Sequence, residues 1–584
     1  MKGFGSTLAT IWRLAYPYFR SEDRRAGLAL LIAIVAIELS IVAINVMINQ
    51  WNNRFYNALQ DRNWDVFVSE LLFFCLLAGI FIVLAVYQLY LNQWLQIRWR
   101  RWMTEQYLGD WLKNANHYRM QLLGDAADNP DQRIADDIRL FIERGLELSL
   151  GLINSVVTLG SFVVILWQLS ATAPFTLFGI NWGIPGYLVW AALIYSILGT
   201  MIIQWIGHAL VGLNFRQQRF EADFRYNLVR VRENAEQIAL LEGEPAEKQR
   251  LLERFGQLMS NWMLIMSRTK KLTFFTSGFA QVSNIFPFVV AAPAYFAGAV
   301  QLGGLMQTAS AFGSVQGALS YFVSSTVYRQ LAEWLAVVDR LAGFQRAVET
   351  GRSAAVASPV VKLQPSPGGG AIELAGVKVT LPAGRPLVDA DRIALPKGEY
   401  VLFTGPSGSG KSTLFRAIAG IWPFGSGTVT IPKDARLMML PQRPYFPVAT
   451  LATAIAYPAK PGAYSREQIA AALDAVGLPA LKERLDEEAH WNRMLSLGEQ
   501  QRLGVARALL QQPDFLFLDE ATASLDEPSE AKLYRLLQER LPAAAIISIG
   551  HRSTLAAFHR RRFTLERDGE RYQVHEAAML PAAE

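Results

Sequence analysis

The run YVLFTGPSGSGKSTLFRAIAG, residues 400–420, decides the fold of the C-terminal part of this chain. A short apolar run leads into Gly-x4-Gly-Lys-Ser, and a helical pattern follows. A strand, a glycine-rich turn and a helix in that order make a phosphate cradle, because unpaired N–H groups in the turn and at the helix N-terminus converge on an anion. Gly405, Pro406, Ser407, Gly408, Ser409, Gly410, Lys411, Ser412 and Thr413 are therefore read as a P-loop. In such a loop Lys411 reaches the β and γ phosphates and Ser412 ligates Mg²⁺. A plain turn is the bland alternative, and the flanking strand and helix patterns argue against it.

Further along, PDFLFLDE (Pro513–Glu520) is a buried strand ending in two carboxylates. A strand tip fixes both: Asp519 is placed to hold Mg²⁺ through water, and Glu520 to polarise the water that attacks a γ-phosphate. IISIGHR ends a second apolar strand in His551, and MLPQRPYF places Gln442 after a third, where it is read as a contact to Mg²⁺ and to a membrane domain. Each of these groups alone reads as a loop or solvated residue; the P-loop changes the weighing. LSLGEQQR (Leu495–Arg502) adds a second potential anion grip at a helix start.

Together these segments resemble the ATP-binding cassette (ABC) family, in its order: Walker A (Gly405–Thr413), Q-loop (Gln442), signature (Ser496–Gln500), Walker B (Phe515–Glu520), D-loop (Ser524, Leu525, Asp526) and switch histidine (His551). The resemblance implies ATP and Mg²⁺ as ligands, with Lys411, Gln442, Glu520 and His551 serving hydrolysis and Ser412, Gln442 and Asp519 serving the metal. It also implies that the second grip, Ser496 and Gly498 with Glu499, and the D-loop Asp526 address nucleotide bound on a partner copy, so that a twofold homodimer closes two sites. Two departures stand out: Leu497 replaces the usual glycine and Glu499 the usual glutamine. No aromatic lies between Ala371 and Glu399, where the family stacks one on adenine, and Tyr400 reads as core. Leu381 or Pro382 is the substitute expected to touch the base.

The N-terminal half is of another kind. Hydrophobic residues make up 52% of the 584 and charged residues only 18%, too greasy for an ordinary soluble protein. Six apolar runs near 26–47, 71–91, 148–169, 187–211, 274–300 and 301–328 are read as membrane spans, the last the weakest because of its Gly, Ser and Gln content. Lys and Arg concentrate before the first run, after the second and between the fourth and fifth, which predicts both termini and the cassette in the cytoplasm. The net charge of +6 follows this membrane topology rather than a nucleic-acid stripe, so no nucleic-acid partner is expected. The single cysteine, Cys75, excludes an internal disulfide, and no cleavable signal peptide is evident. The predicted layout is a six-helix transmembrane domain of ABC exporter type (1–350), a Pro/Gly/Ser-rich linker (351–370) and an α/β P-loop nucleotide-binding domain (371–584).

The segments NQWNNRFYNALQDRNWDVF, DNPDQRIADDIRLF, FRYNLVRVRENAEQIALLEGE and WNRMLSLGEQQR resemble the BacA/SbmA-like bacterial uptake transporters and ABC subfamily D. That resemblance implies an inner-membrane importer of peptides (including antimicrobial peptides), cobalamin or other hydrophilic solutes. Movement of lipid or fatty acyl-CoA is the alternative, and a membrane-anchored regulatory ATPase the reading from another class. It also places 129–134 and 233–243 near the helices that couple the two halves. Glu38 in the first span is expected either to charge a translocation cavity or to pair with a polar neighbour and hold helices together.

Overall fold

The structure is a computed structural model, describing residues 4–578 apart from 125–128, 173–175, 178–179, 182–183, 324, 357–358 and 369. The predicted turn between the third and fourth spans, 170–185, lies partly outside the described residues. The chain divides into two compact units: residues 1–107 with 130–343, and residues 108–129 with 344–584.

The first unit is helical. Its long helices are α1 (Arg24–Gln60), α2 (Trp64–Leu112, whose last turns belong to the other unit), α3 (Ile138–Thr172), α4 (Tyr187–Glu233), α5 (Glu244–Phe296), α6 (Leu302–Val323) and α7 (Ser325–Ala354, continuing into the second unit). Helices α2, α4 and α5 run 49, 47 and 53 residues, far beyond the roughly 20 that cross a bilayer, so the spans continue as long helices outside it. Five helices among the described residues are long and apolar enough to cross a membrane. The sixth expected span forms α6, which is not among them, and its Gly, Ser and Gln residues are the reason.

An amide column on α1 bonds to α6, whose Ala311, Phe312 and Val315 also pack in an apolar core with α3 and α4. Asn49 Nδ2 donates to the Gln307 carbonyl (3.0 Å), and Gln307 Nε2 returns a bond to Asn49 Oδ1 (3.2 Å). Asn53 Nδ2 donates to Gln307 Oε1 (2.7 Å) and Asn57 Nδ2 to Asn53 Oδ1 (2.9 Å). At the start of α6 the orphan N–H groups of Leu302 and Gly303 donate to Gln60 Oε1 and Asn57 Oδ1, both at 2.7 Å, so one helix caps another. A Cβ on Gly303 would stand 1.9 Å from the Asn53 carbonyl oxygen, so only glycine allows this approach.

Glu38 is buried on α1, with Gln88 of α2 donating to one carboxylate oxygen and Asn154 of α3 donating to the other at 2.5 Å. Three helices thus meet on one carboxylate, which is the helix-holding arrangement of the two weighed for Glu38. Near the base of α3, Asp137 accepts from Arg133 (2.5 Å) and bidentately from Arg340 of α7 (2.9 and 2.6 Å). Helices α4 and α5 pack closely enough that Gly199 faces the Phe279 ring, and Asn261 of α5 donates to Gln217 of α4 at 2.9 Å.

The second unit is built on a ten-stranded sheet. Its strands are β1 (Lys362–Ser366), β2 (Ala371–Thr380), β3 (Pro386–Pro396), β4 (Tyr400–Thr404), β5 (Gly425–Pro432), β6 (Leu437–Leu440), β7 (Phe515–Asp519), β8 (Ala545–Ile549), β9 (Arg561–Asp568) and β10 (Arg571–Ala577), in the spatial order β1-β5-β2-β3-β10-β9-β4-β8-β7-β6. Strands β6, β7, β8, β4 and β9 are parallel neighbours, and β4, β7 and β8 are buried almost throughout, as strands covered on both faces must be. Among the helices of this unit are α8 (Lys411–Ile418), α9 (Leu497–Gln511) and α10 (Glu527–Arg540). Part of the expected linker is not one: α7 runs to Ala354, and Lys362–Ser366 forms β1, an edge strand that tolerates Pro365.

Residues 108–129 fold with this unit. Asn116 Nδ2 donates to the Val348 carbonyl (3.0 Å), Arg119 Nε to the Gly351 carbonyl (3.2 Å), and Arg352 pairs with Asp110 at 3.0 Å.

Candidate functional site

Strand β4 delivers the chain to Gly405, and α8 starts at Lys411, so the loop between them sits at the C-terminal end of the parallel strands, where open α/β sheets place ligands. Gly405 and Gly410 adopt φ of 145° and 91°. A Cβ on Gly410 would come within 2.5 Å of Val388 Cγ2, so glycine is required both for the turn and for the approach of β3. Lys411 is buried, and its Nζ donates to the Gly405 and Pro406 carbonyls at 2.8 and 2.9 Å, leaving one of its three donors. Burial pulls its pKa down, opposed by the charges of Glu520 and Asp519. Ser409 Oγ is fully buried and has no hydrogen-bond partner among the described residues.

Asp519 ends β7 and accepts from Ser412 Oγ at 2.7 Å. Burial raises its carboxyl pKa, against the lowering effect of the Ser412 hydroxyl. A hydroxyl and a carboxylate side by side are the hard oxygen donors that Mg²⁺ prefers, so Ser412 and Asp519 fit the ion.

Glu520 follows in a left-handed backbone, φ 53°, which costs a non-glycine residue on the order of 1 kcal/mol or more. Its carboxylate is held from two sides: Gln442 Nε2 donates to Oε2 at 3.2 Å, and His551 Nε2 lies 3.1 Å from Oε1. Ser407 to Thr413, Glu520 and His551 wall one cleft of roughly 600 Å³, within the range of small-molecule sites. The sequence motifs separated by 78 and 31 residues therefore converge on a single carboxylate. Of the expected base contacts Leu381 walls the cleft and Pro382 does not; Tyr400 is buried in the core.

Ser496, Gly498, Glu499 and Asp526 do not wall that cleft. Ser496 caps α9 in a capping box: its Oγ accepts from Glu499 N (3.3 Å) and donates to Glu499 Oε2 (2.7 Å), and Glu499 Oε2 also accepts from Ser496 N (2.8 Å). These bonds, the Ser496 hydroxyl foremost, hold the Glu499 carboxyl below its usual range. A glutamine in the same place could form the box, so the acidic replacement keeps the helix start intact while placing a negative charge there. Asp526 is exposed ahead of α10, its carboxyl lowered chiefly by the Ser529 hydroxyl.

Residues outside the sequence motifs tie these loops together. Gln501, 1% exposed, donates from Nε2 to the Gln442 carbonyl (2.9 Å) and accepts from Ser524 N at 3.0 Å, joining the loop of Gln442 to that of Ser524. Arg552, next to His551, donates to the Leu525 carbonyl (2.7 Å) and to that of Ala523 (3.3 Å). Asn492 donates to the Pro444 carbonyl (2.7 Å) and to Gln500 Oε1 (3.1 Å). In sequence these polar residues look solvated; what distinguishes them is their bonding in the fold, and of the three only Gln501 is buried.

The site has the parts of a nucleotide hydrolase: a phosphate cradle, a metal-competent pair and a carboxylate fixed beside it. Comparisons with known proteins agree. Residues 14–296 match the family "ABC transporter transmembrane region 2" and residues 388–523 the family "ABC transporter". The chain is 34% identical to the inner membrane ABC transporter ATP-binding protein YddA of Escherichia coli K12, over 92% of this chain and 94% of that one. It is 27% identical to the lysosomal cobalamin transporter ABCD4 of Mus musculus, over 94% and 92% of the two chains. Its fold is similar to the structure of a bacterial Atm1-family ABC exporter with ATP bound, with a TM-score of 0.70 and 19% identity, over 94% of this chain and 95% of that chain.

Proposed function

The chain belongs to the ABC transporter family, with a multi-pass membrane region fused to the cassette, and on that premise we propose that it is an ATP-driven importer of hydrophilic solutes, working as a homodimer in a bacterial inner membrane. The observation that carries the reading is the Glu520 carboxylate, bonded by Gln442 and His551 on the wall of the P-loop cleft. There it can take a proton from a water aligned with the γ-phosphate, while Gln442 and His551 fix its direction. Lys411 and the loop N–H groups would hold the β and γ phosphates, and Ser412 and Asp519, with Gln442, would hold Mg²⁺, which would neutralise phosphate charge.

The position of Ser496 and Gly498 apart from that cleft favours their service to a partner's nucleotide, with Asp526 beside the seam and Glu499 presenting Ser496. A homodimer then has two sites, each completed by the other copy. Six spans per protomer, α6 included as the inward-facing one, cytoplasmic termini and the coupling role of 129–134 and 233–243 belong to the same proposal. Peptides and cobalamin are the substrates favoured by the membrane-segment resemblance to BacA/SbmA-like transporters and by the name of the 27% identical mouse relative.

A lipid or acyl-CoA substrate is the competing reading within subfamily D. Vesicles reconstituted with the protein, assayed for ATP-dependent accumulation of labelled cationic peptide, cobalamin and fluorescent lipid, separate the two. Peptide or cobalamin uptake is the expected result; lipid movement alone would replace the proposal, and ATP turnover with no movement of any of them would point to a regulatory ATPase.

A further inference from the structure

A nucleotide site needs a surface for the base as well as donors for the phosphates, and the P-loop supplies only the second. The cleft that holds Lys411 and Ser412 is also walled by Leu381, Pro386, Leu387 and Tyr572, together with the charged Arg385, Arg567 and Glu570. Tyr572 is the one Phe, Tyr or Trp among the described residues of its wall. It lies on β10, in register with Val388 of β3. Val388 and Leu387 are the side chains that crowd Gly410, so Tyr572 stands one strand, about 4.8 Å, beyond the residues resting on the P-loop. Arg567 of β9 pairs directly across from Tyr572, on the same face of the sheet, and also walls the cleft. Two residues back along that face, Leu565 packs on Gly405 at the other end of the loop. Tyr572 is half-buried, packing on the same apolar core as Leu381 and Leu387, while part of it borders the cleft.

We propose that Tyr572 is the base-stacking residue of the nucleotide site, supplied by the C-terminal hairpin β9–β10 in a chain that has no aromatic between Ala371 and Glu399. The inference rests on the reading of Gly405–Thr413 as the phosphate cradle. Every base has a π face, so the ring confers affinity for a nucleotide over a bare polyphosphate without selecting one base.

The test is equilibrium binding of ATP and of inorganic tripolyphosphate to the detergent-solubilised full chain, with EDTA present to prevent turnover. Tyr572→Ala is expected to weaken ATP about tenfold, the scale of one lost base–aromatic stack, and to leave tripolyphosphate unchanged. Tyr572→Phe, which keeps the ring, should bind ATP within about twofold of wild type by the same reasoning. Equal ATP affinity for wild type and Tyr572→Ala overturns the proposal, as does an equal loss of both ligands, which would assign Tyr572 to the fold. A wild-type protein that binds neither ligand fails earlier, at the phosphate cradle, and takes this proposal with it.

Discussion

The amide column of the membrane unit and the phosphate loop of the cassette treat polar side chains in opposite ways. In the membrane unit, the amides of Asn49, Asn53, Asn57 and Gln307 are bonded to one another, and the carboxylate of Glu38 is bonded to Gln88 and Asn154 of two other helices. In the cassette, Ser409 Oγ is buried with no partner, and Lys411 keeps a donor in reserve. Polar atoms satisfied within the protein fix helices to each other; polar atoms left short fix a ligand. An unpaired buried atom does not mark a site by itself, since Glu70 Oε2, Trp99 Nε1 and Ser196 Oγ of the membrane unit also lack partners among the described residues; at Ser409 it coincides with the wall of a cleft.

Three experiments bear on that contrast. The largest effect belongs to Glu520→Gln, which keeps the size and the bond from Gln442 but cannot accept a proton. Phosphate release should fall by about 10²- to 10⁴-fold while ATP still binds, and turnover at the wild-type rate would remove Glu520 as the base. Next is Gly303→Leu in the amide column, where the new side chain meets the Asn53 carbonyl oxygen, a backbone atom that cannot swing away. A loss of about 3 kcal/mol is expected, read as a lower unfolding midpoint in detergent with ATP affinity of the folded protein unchanged. An unaltered midpoint would mean that the column is not what holds α6.

The smallest effect sharpens the comparison, because the cassette also contains one fully bonded polar chain. His559 Nδ1 donates to the Leu555 carbonyl (2.7 Å), Ser548 Oγ lies 2.9 Å from Nε2, and Tyr534 donates to Ser548 at 3.1 Å. Burial pushes the His559 pKa down to about 4. The unfolded chain, with a histidine near 6.5, binds the proton first, so the stability from the neutral ring is present above pH 6.5 and lost as pH falls towards 4. The loss should be on the order of 2 kcal/mol, and His559→Gln should flatten the pH dependence of unfolding between pH 6.5 and 4. An unchanged slope would dissociate the acid sensitivity from this ring.

The same contrast explains what could be read from sequence. The strand, turn and helix at 400–418 were legible because contiguous residues carry the whole signal, and β7 and β8 were legible as apolar runs. Glu520, Gln442 and His551 were each ambiguous alone and became legible only in series. Gln501 was hidden because its partners lie 59 and 23 residues away and a glutamine beside Arg502 looks solvated. Gln88, the second donor to Glu38, carried no signal in an apolar run, and the partners of the amide column are some 250 residues apart. Tyr572 was out of view because the family's pattern directs attention to 371–399. Pro365 disguised β1 as linker, since proline reads as a break unless the strand is known to lie at an edge.

One consequence concerns anyone wishing to obtain the ATPase half by itself. Asn116 and Arg119 come from the middle of the first half of the sequence, yet they satisfy the carbonyls of Val348 and Gly351 near the end of α7. A single cut ahead of residue 344 discards that collar and bares those oxygens, so the excised fragment starts with a frayed leading helix. A faithful miniature would need residues 108–129 grafted back in front of it.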